Sequence, residues 1–124
     1  MRIVANHEPE FSEASSLIAS DKVEGTAVYN SAGEKLGKIQ NFMVNKHNGQ
    51  VEYAVMSFGG IFGMGEQHFP LPWSKLKYVV EREGYVVDID QAMLDKAPKY
   101  EGNVFPVYDP AYGTMVNSYY GTGR

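Results

Sequence analysis

The sequence predicts an all-β fold: a small six-stranded antiparallel β-barrel with a short C-terminal helix and irregular tails. Short segments rich in β-branched and aromatic residues recur at spacings of roughly ten residues, and clusters of Gly, Asn, Asp and Pro separate them. Apolar residues make up 44% of the chain and charged residues 21%, as in an ordinary globular domain. Because a closed barrel leaves no exposed sheet edge, consecutive hairpins of this kind are expected to close.

The first two strands are predicted at residues 25–29 and 35–45. The turn between them contains Gly33, which can adopt a positive φ. In the second strand Ile39 is out of phase with the other apolar residues, and Gly37 precedes it. We therefore expect a bulge or a sharp bend in this strand.

The third strand is predicted at residues 50–58, after a hairpin turn. Asn48-Gly49 is the strongest two-residue signal for a type I′ turn. After Ala54 the strand is largely apolar on both faces, as expected for a strand that is covered on two sides. A glycine-rich loop follows at residues 59–65.

The remaining strands are predicted at residues 67–71, 76–81 and 85–89. Pro72 and Trp73 indicate a corner after the first of them. Asp90 is a suitable N-cap for a short helix at residues 91–96, which Pro98 would end.

The chain has the length of one domain with tails, at 124 residues. We expect a flexible N-terminal arm at residues 1–16, a barrel domain at 17–100 and a Tyr/Gly-rich C-terminal tail at 101–124. The tail is aromatic but shows no helical or strand period. We expect it to dock on its own barrel or on a neighbour's.

Charge and composition exclude several classes of protein. The net charge of −4 argues against a general nucleic-acid binder, and the absence of Cys excludes disulfides and thiolate metal sites. No apolar run approaches the roughly 18 residues that a membrane span requires. Residues 1–16 contain no apolar signal-peptide core. We therefore expect a cytoplasmic protein.

Four segments, taken in order, carry a family resemblance. They are Gly25-Thr-Ala-Val-Tyr-Asn, Gly33-Glu-Lys-Leu-Gly-Lys-Ile, Asn48-Gly-Gln-Val-Glu-Tyr-Ala-Val and Phe69-Pro-Leu-Pro-Trp-Ser. Over about residues 17–100 the chain resembles the PRC-barrel domain, which is shared by the photosynthetic reaction centre H subunit and a ribosome-maturation factor. The resemblance implies a six-stranded antiparallel barrel that binds a partner, often as a homo-oligomer. It implies no catalytic residue, because no catalytic motif belongs to the family.

Large apolar and aromatic residues outside the predicted barrel wall are the candidate interface. The glycine-rich loop has too little regular structure to bury its own large side chains, which would form an apolar patch if exposed. Tyrosines are enriched at protein interfaces. The alternatives are that the loop plugs the barrel end and that Trp73 is a buried anchor. The predicted interface residues are Ile61, Phe62, Met64, Trp73, Tyr108, Tyr112, Tyr119 and Tyr120.

Catalytic, cofactor and metal sites are not predicted. The loop at residues 59–65 lacks the following helix and the Lys-Ser/Thr of a phosphate loop. Glu66 and His68 share a strand face, but a metal needs at least a third ligand. Asp88 and Asp90 form another i, i+2 pair, in which Asp90 is already assigned to helix capping.

The leading functional hypothesis is a non-enzymatic interaction module that self-associates, with a dimer favoured, and that meets a further unidentified protein. An RNA- or ribosome-associated factor is the second hypothesis. It requires a positive stripe, made of Lys35, Lys38, Lys46, Lys75 and Lys77. A peripheral component of a photosynthetic electron-transfer complex is the third. For nucleic acid as a partner, the tail tyrosines lack interleaved basic residues apart from Arg124.

Overall fold

One mixed sheet organises the chain. The computed structural model describes residues 16–59, 65–102 and 104–122. The strands are β1 Ala27–Asn30, β2 Lys35–Val44, β3 Val51–Phe58, β4 Gln67–Pro72, β5 Leu76–Val79, β6 Gly84–Val87 and β7 Tyr100–Glu101. Their order in the sheet is β5-β6-β1-β2-β3-β4-β7. The helices are α1 Ser20–Val23, α2 Gln91–Asp95 and α3 Pro110–Tyr120, with 3-10 turns at Trp73–Lys75 and Val80–Arg82.

The mainly β fold is confirmed, but the prediction of six antiparallel strands in a closed barrel is wrong. Over the described residues the sheet has seven strands, and β6 runs parallel to β1. No pairing joins the edge strands β5 and β7 in this part of the chain, so the sheet is open there. The prolines of β4 explain why its pairing with β7 is short. β7 pairs only with Gln67 and His68, because Pro70 and Pro72 lack the N–H groups that a longer ladder needs.

The predicted irregularity of β2 is confirmed. Its register against β1 shifts between the partners of Val28 and Tyr29, and its register against β3 shifts between Ile39 and Asn41. Gly37 lies between these shifts, where a Cβ would be 2.4 Å from the carbonyl oxygen of Ser57. Only glycine therefore allows β2 and β3 to approach this closely.

The β2–β3 hairpin is present, but its turn is not of type I′. A type I′ turn needs a positive φ at both central residues. Here Gly49 has a φ of +76°, but the φ of Asn48 is not positive. The Gly49 N–H donates to the carbonyl of Asn45 at 2.8 Å. The Asn45 side chain accepts from the N–H groups of His47 and Asn48. Asn45 therefore organises a longer turn.

The core lies on the inward face of the sheet. The fully buried members include Val28, Leu36, Ile39, Met56 and Leu71. The predicted N-cap is confirmed, since the Asp90 carboxylate accepts from the Met93 N–H at 2.8 Å. Leu94 of the capped helix α2 is buried with the core.

The prediction of an irregular C-terminal tail is wrong over residues 110–120, which form α3. The Asp109 carboxylate accepts from the Tyr112 N–H at 2.9 Å, and Pro110 occupies the first turn. Gly121 ends the helix with a φ of +69°. Both ends of α3 thus carry ordinary helix signals, which the tyrosines and the glycine between them concealed.

Candidate interaction surface

The C-terminal segment, residues 100–102 and 104–122, lies along the outward face of β3 and β4. It enters at one end, where Tyr100 pairs with His68. It reaches the other end of β3, where the ring of Tyr108 is 5.7 Å from that of Tyr53. Helix α3 then packs against β4. This segment is the second cover of β3, and it explains why both faces of the strand are apolar.

Tyr53 anchors α3 to the sheet. Its hydroxyl accepts a hydrogen bond from Asn117 Nδ2 at 2.9 Å, and the same amide donates to the Gly113 carbonyl at 2.8 Å. A Cβ at Gly113 would be 3.1 Å from the Tyr53 hydroxyl oxygen. Gly113 therefore gives the helix its close approach to the sheet.

Three tail tyrosines form a connected cluster with Tyr53. The hydroxyl oxygens of Tyr100 and Tyr108 are 3.2 Å apart, and the rings of Tyr108 and Tyr112 are 4.9 Å apart. Burial, followed by the neighbouring phenols, raises the pKa of Tyr112 to about 12. Burial and the hydrogen bond with Tyr100 raise the pKa of Tyr108 further. These phenols stay neutral near pH 7 and act as hydrogen-bonding and packing groups.

The predicted interface residues are distributed unevenly between core and surface. Trp73 is partly buried, and its ring contacts those of Phe42 and Tyr85 at 5.4 and 5.6 Å. Tyr119 is partly buried and donates to the Met93 carbonyl, while Tyr120 is 4% exposed. Tyr120 therefore offers no side-chain surface while α3 is docked. Ile61, Phe62 and Met64 lie outside the described residues.

An exposed apolar strip precedes α3, and the sequence analysis missed it. Val104, Phe105 and Val107 are 75%, 67% and 77% exposed. They are held on ordered neighbours, since the Phe105 ring is 5.9 Å from that of Tyr100 and the Val104 N–H donates to the Glu101 carbonyl. The available signal was an apolar run around Pro106, which cannot continue a helix or a central strand.

The apolar strip begins beside the glycine-rich loop. The Gly102 N–H donates to the carbonyl of Glu66 at 3.3 Å, and Phe58 and Gln67 pair where β3 leaves and β4 returns. Phe58 is itself 42% exposed. The ends of the loop that carries Ile61, Phe62 and Met64 in the sequence are therefore adjacent to the start of the strip.

A cavity of about 410 Å³ opens at the other end of the strip, directly after Val107. Met43, Val44, Tyr53 and Tyr108 supply its apolar walls, and its polar lining is formed by Asn45, Lys46, His47 and Glu52. The Glu52 carboxylate is occupied, because it accepts from Asn45 Nδ2 at 2.8 Å. The cavity has the size of a small ligand site and a mostly apolar floor.

The other candidate groups are engaged in local structure. His68 Nε2 is 3.8 Å from a carboxylate oxygen of Glu66, and its ring stacks on Tyr100 at 5.2 Å. In the described part of the chain no group of three His, Asp or Glu side chains could hold a metal ion. Asp88 is 3.4 Å from the Ser31 hydroxyl, which donates to it, while Asp90 caps α2. His7 lies outside the described residues.

Comparison with known proteins identifies the family of the chain. Among the residues that the structure describes, no helix is long and apolar enough to cross a bilayer. A search of curated proteins finds no match. Residues 16–94 match the PRC-barrel domain, and this span contains β1 to β6 together with α1 and most of α2. Since the match covers more than half of the chain, the protein belongs to the PRC-barrel domain family.

Proposed function

We propose that this protein is a non-enzymatic interaction module that self-associates as a dimer through the apolar strip of Val104, Phe105 and Val107. The strip carries the proposal. Three large apolar side chains within four residues are more than two-thirds exposed, which is unusual for a monomer surface, and such patches mark protein interfaces.

The strip and the neighbouring cavity support self-association in particular. A dimer with a two-fold axis buries the same patch of both subunits, so a protruding group must meet a recess on the same surface. Here Phe105 and Val107 are exposed, and the cavity walled by Met43 and Tyr108 begins at the next residue of the chain. An aromatic side chain of one copy fits a recess of this volume in the other.

The glycine-rich loop extends the proposal. Its ends lie beside the strip, and Ile61, Phe62 and Met64 fall between those ends in the sequence. Burying one such side chain is worth about 1.5–3 kcal/mol, so a few of them suffice to hold a weak dimer together. We assign these residues, with the partly exposed Tyr108 and Tyr112, to the same contact surface.

The test is the mass of the protein in solution at tens of micromolar, measured by light scattering. We expect a dimer for the wild type and a monomer for Phe105→Ser/Val107→Ser, with Phe62→Ser intermediate. Val80→Ser is the matched control, because Val80 is an exposed valine outside the strip. A monomeric wild type, or a strip variant that dimerises as well as the control, contradicts the proposal.

The RNA-associated alternative is less well supported. Of the five lysines in the stripe that it requires, Lys46 lies in the β2–β3 turn, and Lys75 is only partly exposed in the 3-10 turn after β4. The electron-transfer alternative has no structural observation in its favour. The division of the chain at residues 16 and 101, and a cytoplasmic location, stay predictions.

A further inference from the structure

The outward face of the sheet has a second half, formed by β5, β6, β1 and β2, that the C-terminal segment does not cover. Inward and outward residues alternate along each strand. Tyr85, Val87, Val28 and Leu36 are buried on the inward side. Val86, Tyr29 and Lys35, which alternate with these residues, point outward and are exposed or partly exposed.

Two cross-strand rows define this open face. In the first, Lys77 pairs with Val86, Val86 with Tyr29 and Tyr29 with Lys35. In the second, Val79 pairs with Gly84, while Ala27 on the neighbouring strand pairs with Lys38. Lysines therefore stand at the borders of the face, with small and apolar residues between them.

Arg82 adds a fourth cation to the face. Its guanidinium carbon is 5.3 Å from the centre of the Tyr29 ring. The ring also lies over Gly84, where a Cβ would come within 3.2 Å of it. The Tyr29 ring thus covers Gly84, and the Arg82 guanidinium lies over the ring as a cation–π pair.

Among the described residues, no ion pair joins Lys35, Lys38, Lys77 or Arg82 to an acidic side chain. All four are exposed, on a chain whose net charge is −4. Lys77 and Lys35 are separated by three strand spacings of about 4.8 Å, so the face is roughly 14 Å wide.

We propose that this open face is a docking site for an acidic, aromatic-containing segment of a partner protein, distinct from the dimer contact. Carboxylates of the segment meet Lys35, Lys38, Lys77 and Arg82, and its apolar groups lie on Val86 and Tyr29. The width fits one extended segment. Glu34, Glu81, Glu83 and Asp88 lie at the ends of the same strands, so the positive patch is short, which suits a short acidic segment better than a long phosphate backbone.

The experiment measures binding of a fluorescent twelve-residue peptide of alternating Glu and Gly with two Phe residues. At low salt we expect Lys35→Gln/Lys77→Gln to weaken binding about tenfold, because two charge-assisted contacts are lost. Lys96→Gln/Lys99→Gln removes the same charge from exposed sites elsewhere and should change binding less than about twofold. Wild-type affinity should fall as salt is raised.

Three other probes test whether a different partner binds this face more tightly than the peptide. Oligouridine RNA, vesicles containing anionic phospholipid, and a second copy of the chain are compared with the peptide under the same conditions. Tighter binding of RNA or vesicles, or salt-dependent self-association that Lys35→Gln/Lys77→Gln abolishes, overturns it. So does equal peptide binding by the two double variants. Thermal melting of each variant verifies that the fold is retained, which is expected because all four lysines are exposed.

Discussion

Single residues fix how the C-terminal segment meets the sheet. Tyr53 receives the Asn117 amide, and Gly113 gives that amide and the hydroxyl room to meet. Gly37 does the same between β2 and β3. Each of these contacts joins parts of the chain that are distant in sequence, so each is a local probe of tertiary structure.

Tyr53→Phe should lower the free energy of unfolding by about 0.5–1.5 kcal/mol, because the Asn117 amide loses its acceptor. Urea unfolding measures the change. Tyr29→Phe is the control, since Tyr29 lies on the open face, and its effect should stay within about 0.5 kcal/mol. Equal effects in the two variants would show that the hydrogen bond contributes nothing.

Gly37→Ala should destabilise more than Gly113→Ala. At Gly37 the new methyl group meets a backbone oxygen at 2.4 Å, and overpacking of this kind costs about 1–3 kcal/mol. At Gly113 the nearest atom is the end of a side chain at 3.1 Å, and alanine gains about 1 kcal/mol of helix propensity. Denaturant midpoints of the two variants rank them, and the reverse order would contradict the register of β2 and β3.

Stability should also fall at high pH because of the tail phenols. The pKa of Tyr112 rises from 10.0 in the free side chain to about 12 in the folded protein. The unfolded chain therefore loses its proton first, and the stabilisation present below pH 10 is lost as the pH rises towards 12. Unfolding at pH 8, 10 and 11 measures this slope. Tyr112→Phe should flatten it, and an unchanged slope would exclude Tyr112 as its source.

At the scale of elements, sequence reasoning succeeded where a pattern was local. Alternation located β1 to β6 within a few residues, and Asp90 correctly marked the start of α2. The same reasoning did not find β7 and wrongly predicted a closed barrel. Pairing between β4 and the distant β7 depends on backbone N–H groups that Pro70 and Pro72 lack. The apolar strip was missed because exposure of Phe105 is a property of the packed molecule.

Helix α3 is the element with the clearest local test. Asp109→Ala removes the acceptor of the Tyr112 N–H and should cost about 0.5–2 kcal/mol. Asp109→Asn keeps a side-chain oxygen at the cap and should cost much less. Thermal melting compares the two. Equal losses would show that the carboxylate charge, rather than the cap, stabilises the helix.

At the scale of the whole molecule, the sheet carries different covers on the two halves of its outward face. The C-terminal segment covers β3 and β4, and the other half presents cations. The apolar strip lies on the covering segment itself. Removal of that segment should therefore abolish the dimer and expose the buried face of β3 at once.

Truncation after residue 102 should lower the melting temperature and cause the protein to bind an apolar fluorescent dye. Val116 and Tyr120 are lost from the core, and each fully buried side chain of this kind contributes about 1.5–3 kcal/mol. The full-length Phe105→Ser/Val107→Ser variant is the control, because it disrupts the dimer while α3 stays in place. A truncated protein as stable as this control would contradict the role assigned to α3.

The late position of α3 in the chain has a consequence for synthesis. The ribosome makes β3 and β4 before it makes the helix that shields them, and at about 5–20 residues per second the delay lasts seconds. During that interval Val55 and its neighbours form an uncovered apolar surface on the nascent chain. Pro70 and Pro72 have no backbone N–H to donate to another strand at the edge of β4. The two prolines therefore disfavour aggregation of the nascent β3–β4 hairpin.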